Sequence, residues 1–244
     1  MIALDFVHKD LIITLSFSFF SFMLSFCKIS QETMKALVID TSSAKSFIAL
    51  TEKEEVIAFR ALSTGKDLSK DLFPFIMELL TSARTSIQEI AYIAAGIGPG
   101  SYTGTRSGVS AAKALSFGCK IPLISFCSLL LFHPEKSQKF AITIETKAKD
   151  FFVLTAEKMQ EKSWRYKLKQ NVPYADLPTL LSEFSHVVKN PSEDPLVLPN
   201  YTHLAAFLHN RYLLSDSGLH NNLEIIYLHP TSHSSREQDF IFDC

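Results

Sequence analysis

The chain has 244 residues, of which 47% are hydrophobic and 20% charged, and its formal net charge is −1. This length allows one large domain or two small lobes around a sizeable core. A charge near zero excludes nucleic-acid binding through a strongly basic overall surface, so an RNA role needs a local patch or a partner. The four scattered cysteines form no CxxC pair, which favours a reduced protein of the cytoplasm.

Residues 1–33 differ in composition from the rest of the chain. The run 11–27 carries no charge and is dense in phenylalanine. It is shorter than the about 20 apolar residues of a membrane span and is interrupted by serines. It also lacks the positive start and small-residue cleavage site of a secretory signal. We predict that translation begins at Met34, that the hydrophobic extension 1–33 is an upstream mis-start, and that the protein has no membrane partner; a membrane-associated extension and an exported protein are the alternatives.

Three short strands are predicted after Met34, at 35–39, 46–50 and 56–62, in meander order. Asp40 and Thr41 directly follow the first strand. A carboxylate at the end of a core strand can face a metal or a phosphate, or it can cap a turn of its own backbone. Both interpretations of Asp40 stay open at this point.

Residues 66–82 have a helical pattern that accommodates Pro74 near its first turns. One apolar stripe comprises Leu68, Leu72, Ile76, Leu79 and Ala83, and a second beside it comprises Phe73, Met77 and Leu80. A surface helix needs only one apolar face. The second face therefore predicts packing against another helix, either of this chain or of a partner, and a wholly internal helix is the equal alternative.

Six of the eight glycines lie between residues 96 and 118, around IGPGSYTGTRSGVSAAKALSF. The uncharged run 90–97 predicts a strand, and the alanine-rich run 105–117 predicts a helix with Val109, Ala112 and Phe117 near one face. Such a turn presents backbone N–H groups at a helix N-terminus, where they can meet an anion or another chain. The candidate anion or nucleotide turn comprises Asp40, Thr41, Gly98, Gly100, Ser101, Thr103 and Gly104.

A boundary is predicted near residue 136, where HPEKSQK is polar and contains a proline. Around it the pattern predicts strands at 122–126, 140–144, 151–156, 164–168 and 223–228, helices at 127–133, 175–184 and 201–214, extended pieces at 186–189 and 195–198, and a loose tail from His229. This order indicates two α/β lobes, 34–135 and 136–244, of which the second is less regular.

The sequence lacks the residues that several kinds of catalysis require. No lysine follows the glycine turn as a P-loop requires, and the histidines are not spaced as metal ligands on one element. Ser101 in GPGSYTG resembles a nucleophile elbow only loosely. After Gly118 the only glycine is Gly218, so the second half supplies no second phosphate loop. We therefore expect no catalytic residue, no metal and no cofactor.

The segments KALVIDTSS and GIGPGSYTGTRSGVSAAKALSFGCKIPLISFCSL resemble the TsaB (YeaZ-type) family over residues 34–130. This family is the degenerate glycoprotease-related branch of the ASKHA (actin, hexokinase and Hsp70-like) superfamily. The resemblance implies two ASKHA-like (ribonuclease H-like) lobes, each a mixed sheet flanked by helices, with the second lobe shortened.

The resemblance also implies a function. Proteins of this kind are non-catalytic scaffolds that activate a TsaD-like subunit, which threonylcarbamoylates the adenosine next to the tRNA anticodon. A TsaE-like ATPase belongs to the wider complex, tRNA is contacted indirectly, and a homodimer is the alternative assembly. A glycoprotease-like peptidase using Ser101 and an ASKHA-type ATP-binding protein are the alternative functions.

In such proteins, two helices pack against the equivalent two helices of the partner. They correspond in this chain to the helix at 66–82 and the helix after the glycine turn. The interface residues carried over to this chain are Leu72, Phe73, Ile76, Met77, Leu80, Arg106, Val109 and Lys113. The chain departs from the family at Lys66 and Asp67, where relatives often carry a histidine, and at residues 145–147. These departures bear on the details of partner contact.

Overall fold

Residues 34–63, 68–146, 148–160 and 163–214 and the backbone of 240–243 are described by the structure, a computed structural model. Contacts divide the chain into two units, Met1–Met34 and Lys35–Cys244, and the elements below belong to the second. The predicted extension 1–33 lies outside the described residues. Within the described part of the chain, no helix is long and apolar enough to cross a bilayer.

The first sheet has five strands in the order β3-β2-β1-β4-β5. They are β1 (Lys35–Asp40), β2 (Phe47–Glu52), β3 (Glu55–Ala61), β4 (Ile90–Gly96) and β5 (Leu123–Phe126). The first three pair antiparallel, which confirms the predicted meander, whereas β4 lies parallel to both β1 and β5. The central strands β1 and β4 are apolar and almost wholly buried, as strands covered on both faces must be.

The second sheet has the order β10-β8-β7-β6-β9. Its strands are β6 (Lys139–Glu145), β7 (Phe151–Gln160), β8 (Ser163–Val172), β9 (His186–Lys189) and β10 (Phe240–Asp243). β9 runs parallel to β6, and the other pairs are antiparallel. Both sheets are therefore mixed. One sheet lies in each of the two predicted lobes, and the exact lobe boundary stays a prediction.

Two sequence predictions for the second half need correction. The tail is not loose throughout, because residues 240–243 pair with β8, whose free edge offers unpaired backbone groups to a short apolar run. Residues 195–198 form no strand. The predicted strand at 223–228 and the tail residues 229–239 lie outside the described residues.

Four α-helices flank the sheets among the described residues. They are α1 (Leu68–Ser82), α2 (Tyr102–Cys119), α3 (Leu177–Leu181) and α4 (Tyr201–Leu214). The predicted helix at 201–214 is confirmed, whereas the one at 175–184 shortens to five residues and the one at 127–133 is a 3-10 turn, Ser128–Phe132. α1 and α2 pack on each other and on the first sheet, and α4 packs on β3 and on the 3-10 turn.

Candidate functional site

The glycine-rich turn lies directly against the end of β1. The Ser101 N–H donates to the Ser42 carbonyl oxygen at 2.6 Å, and the Thr41 hydroxyl donates to the Gly104 carbonyl oxygen at 2.6 Å. Two cross-links of this kind fasten the chain after Asp40 to the first turn of α2. The turn and the strand end therefore form one rigid joint.

Three glycines are required by this joint because backbone passes where a side chain would be. A Cβ atom on Gly100 would lie 2.1 Å from the Ser42 carbonyl oxygen. On Gly104 it would lie 2.2 Å from the Thr41 carbonyl oxygen, and on Gly108 2.3 Å from the Thr41 hydroxyl. The spacing of four residues places Gly104 and Gly108 on one face of α2. The glycines thus serve close packing of α2 on β1.

Several backbone N–H groups of the turn are already used inside the protein. The Gly98 N–H donates to the Ser128 hydroxyl at 3.1 Å, and the Gly104 N–H donates to the Ser101 hydroxyl at 3.2 Å. Ser101 is the N-cap of α2, and its carbonyl oxygen accepts from the Thr105 N–H. An N–H that already donates is withdrawn from an incoming phosphate. Three of the N–H groups of the turn, those of Gly98, Ser101 and Gly104, are thus used inside the protein.

An open cleft of about 460 Å³ lies beside the joint. The first half of the chain lines it with 41–44, Leu68, Ser69, 99–101, Thr103, Gly104 and Ser107, and the second half with Ile144, Glu145, Ser192 and Glu193. The charged groups among these described lining residues are the two exposed carboxylates, Glu145 and Glu193. They would repel a polyphosphate that no metal neutralises. Glu145 was noted in the sequence only as part of a departure from the family, and Glu193 was not singled out, because each comes from a segment far from the glycine turn in the chain.

The predicted turn residues do not all reach this cleft. Thr41, Gly100, Ser101, Thr103 and Gly104 line it, whereas Asp40 and Gly98 do not. In the described part of the chain, no group of three or more His, Cys, Asp or Glu residues is placed to hold a metal ion.

Asp40 is buried beneath the joint. Its Oδ1 accepts a hydrogen bond from the Ser42 N–H at 2.8 Å, which is the geometry of the turn-capping interpretation. Its Oδ2 has no hydrogen-bond partner, and a Cβ on Gly96 would lie 2.4 Å from this carboxylate. Burial raises the pKa of Asp40, and hydrogen bonding with Ser42 offsets part of that rise. The carboxyl group is therefore costly to ionise where it stands.

The predicted interface residues separate into two groups. Leu72, Ile76, Leu80 and Val109 are buried within the described chain, whereas Phe73, Met77, Arg106 and Lys113 are exposed. A groove between α1 and α2 is bordered by Phe73, Tyr102 and Arg106, and the Arg106 guanidinium lies over the Tyr102 ring at 4.1 Å. Of the predicted interface residues, the four exposed ones are thus those that another molecule can contact directly.

One helical face was predicted wrongly. Phe117 does not share the face of Val109 and Ala112, because its side chain is 90% exposed while both of those are buried. The inner face of α2 carries small residues, since only these allow the close approach to β1. The spacing of Tyr102, Arg106 and Phe117 marks the outer face and could have revealed it in the sequence.

Comparison with known proteins places this geometry in context. A family model described as TsaD, tRNA N6-adenosine threonylcarbamoyltransferase, matches residues 62–139. The chain is similar to proteins named tRNA threonylcarbamoyladenosine biosynthesis protein TsaB. Its identity is 33% over 97 residues to that of Escherichia coli K12, covering 40% of this chain and 42% of the relative. It is 38% over 96 residues to that of Bacillus subtilis 168, covering 39% and 42%. The chain thus matches about two fifths of the length of these curated relatives.

Solved structures show the fold. A Pseudomonas aeruginosa protein titled as having similarity to peptidase YEAZ superposes with a TM-score of 0.60 at 16% identity, covering 80% of this chain and 100% of that one. YeaZ from Pseudomonas aeruginosa gives 0.55 at 17% identity, covering 74% and 93%. The predicted α/β class, two mixed sheets flanked by helices, and the resemblance to the TsaB family are confirmed.

Replacing Gly104 by alanine should destabilise the protein. The new methyl group meets the Thr41 backbone, and overpacking of this kind costs about 1–3 kcal/mol of unfolding free energy. Gly118→Ala is the matched control, because a Cβ there has no atom within 4 Å. The control should gain about 0.5–1 kcal/mol through its better helix propensity. Urea denaturation of both variants measures this, and equal stabilities would contradict the packing role.

Replacing Asp40 by asparagine should stabilise the protein near neutral pH. The folded pKa of Asp40 is raised, so its ionisation opposes folding increasingly as the pH rises above about 3.9, where an unfolded aspartate titrates. The advantage of Asp40→Asn should therefore be large at pH 7 and shrink toward pH 4. Thermal unfolding across this range measures it, with the exposed Asp176→Asn as control. A constant difference at all pH values would show that Asp40 ionisation is not the cause.

Proposed function

We propose that this chain is a non-catalytic scaffold that activates a TsaD-like catalytic subunit in the cytoplasm. The catalytic subunit transfers a threonylcarbamoyl group to the adenosine next to the tRNA anticodon, and a TsaE-like ATPase belongs to the wider complex. The observation that carries the proposal is the exposed outer face of α1 and α2, which lies within the segment that resembles the TsaB family. The chain contacts tRNA through its partner.

The composition of this face supports a protein partner. Phe73, Met77, Tyr102 and Phe117 are large apolar residues exposed on two helices that pack on each other. Aromatic residues, methionine and arginine are the residue types enriched at protein interfaces. Arg106, stacked on Tyr102, adds the arginine to this set. Below them the buried Leu72, Ile76, Leu80 and Val109 hold the two helices in place, so they shape the interface from inside.

The site beside the glycine turn supports a non-catalytic role. Ser101, the residue a peptidase would use, accepts the Gly104 N–H through its hydroxyl as a helix cap. The described lining of the cleft contains no histidine to activate it. An ATPase would need donors for phosphate oxygens, yet the N–H groups of Gly98, Ser101 and Gly104 donate within the protein. A second copy of the chain is the alternative occupant of the helical face when the catalytic subunit is scarce.

A charge at Met77 should dissociate the complex. Its side chain is 57% exposed on the outer face of α1, and burying a carboxylate there costs about 2–4 kcal/mol if the position is central. This corresponds to an affinity loss of about 30- to 700-fold. Titration calorimetry with the TsaD-like subunit of the same organism measures it.

The matched control for this change is Met159→Asp. Met159 is also exposed, at 47%, but lies on β7 of the second sheet. The control should bind like the wild type and both variants should keep the wild-type melting temperature. Unchanged binding by a folded Met77→Asp variant would place the interface elsewhere.

A reconstituted modification reaction tests the function itself. With tRNA, the TsaD-like subunit, the ATPase and a threonylcarbamoyl donor, leaving out this chain should abolish formation of threonylcarbamoyl-adenosine. Adding the wild type or Met159→Asp should restore it, and Met77→Asp should not. Nucleoside mass spectrometry measures the product. Full modification in the absence of the chain would refute the scaffold proposal.

A further inference from the structure

Two histidines that no part of the proposed function uses are stacked inside the protein. The ring centroids of His133 and His203 lie 3.5 Å apart with their planes 25° from parallel. His133 follows the 3-10 turn Ser128–Phe132, and His203 lies in the first turn of α4. The pair therefore joins the start of α4 to the segment between the two sheets.

Aromatic rings enclose the pair. Trp164 stands edge-on to His133 with centroids 4.4 Å apart, and Phe140 does so at 4.7 Å. His133 is only 6% exposed, and neither of its ring nitrogens has a hydrogen-bond partner. The Nε2 atom of His203 lies 3.0 Å from the Tyr166 hydroxyl. An imidazolium at position 133 would thus be buried with no side-chain acceptor for its N–H groups, which is unfavourable, and the backbone carbonyl groups of His133 and Pro134 offset only part of this cost.

Hydrogen bonds around the pair attach the start of α4 to the 3-10 turn. The Asn200 N–H donates to the Leu131 carbonyl oxygen at 2.7 Å, and the Asn200 side-chain amide donates to the His133 carbonyl oxygen at 3.2 Å. The same side chain accepts from the His203 N–H as the cap of α4. The stacked rings lie directly beside these bonds. Separating the rings would therefore loosen the attachment of α4 to the 3-10 turn.

The surroundings of the two histidines disfavour their protonation. Burial lowers the pKa of His133 to about 3, with a further contribution from His203, and burial lowers that of His203 to about 4. From β8 the titratable group facing the pair is Tyr166, and Phe140 and Trp164 contribute uncharged rings. Within the described chain no acidic side chain counters these shifts at either ring.

We propose that His133 and His203 form an acid-sensitive lock, which holds the start of α4 on the 3-10 turn while both rings are neutral and releases it when they are protonated. Above the ordinary histidine pKa of about 6.5 the lock is fully closed. As the pH falls below that value the released state takes up protons that the closed state resists. Its population then rises up to about tenfold per pH unit for each histidine. The lock does not depend on the function proposed above.

The chain contains one tryptophan, Trp164, and this residue reports on the lock. Its fluorescence, recorded from pH 8 to pH 4 on the full chain, should change below pH 6.5 while far-UV circular dichroism stays native. Hydrogen exchange, corrected for intrinsic rates, should show the α4 amides of residues 204–208 losing protection over the same range. A flat fluorescence profile, or one that changes only with the dichroism, would overturn the proposal.

Phenylalanine variants separate the lock from a general acid effect. The double variant His133→Phe and His203→Phe keeps two stacked rings but cannot take up protons, so its fluorescence and exchange should no longer change between pH 6.5 and 4. His186→Phe, at an exposed position of β9, is the matched control and should respond like the wild type. If the double variant does not fold, the wild-type hydrogen exchange decides alone. A double variant with an unchanged pH response would refute the lock.

Discussion

The close approach of α2 to the end of β1 is the constraint on which the rest of the structure depends. Backbone atoms of Thr41 and Ser42 occupy the space where side chains at Gly100 and Gly104 would stand. The same approach permits the hydrogen bonds that cross from this segment to the turn. Because both partners are backbone, neither can move aside as a side chain could. The strand, the turn and the helix are consequently one unit.

This joint determines what chemistry the adjoining cleft can support. The N–H groups of Gly98, Ser101 and Gly104 donate within the protein, and Asp40 beneath the joint caps a turn of its own backbone. Across the cleft stand Glu145 and Glu193, whose charge opposes an anion. A glycine-rich turn before a helix is thus compatible with two uses of its amides, and three of them are used internally here.

The joint also determines which residues α2 can show to a partner. Small residues are needed on its inner face, so its large side chains, Tyr102, Arg106 and Phe117, are left on the outer face beside Phe73 and Met77 of α1. Because the inner face of α2 must carry small residues to pack on β1, its large side chains lie on the outer face and form an apolar surface there. This surface is the one to which the proposed function assigns the partner.

The sequence by itself determined most element types, the meander and the family resemblance, because these follow from local patterns such as the apolar run 90–97 and the helical spacing of 201–214. It could not tell that Leu72 and Ile76 turn inward while Met77 stays exposed, or that residues 240–243 pair with β8. Nor could it bring Glu145 to the glycine turn or His133 onto His203. Only the tertiary structure decided these points, since each depends on contacts between residues far apart in the chain.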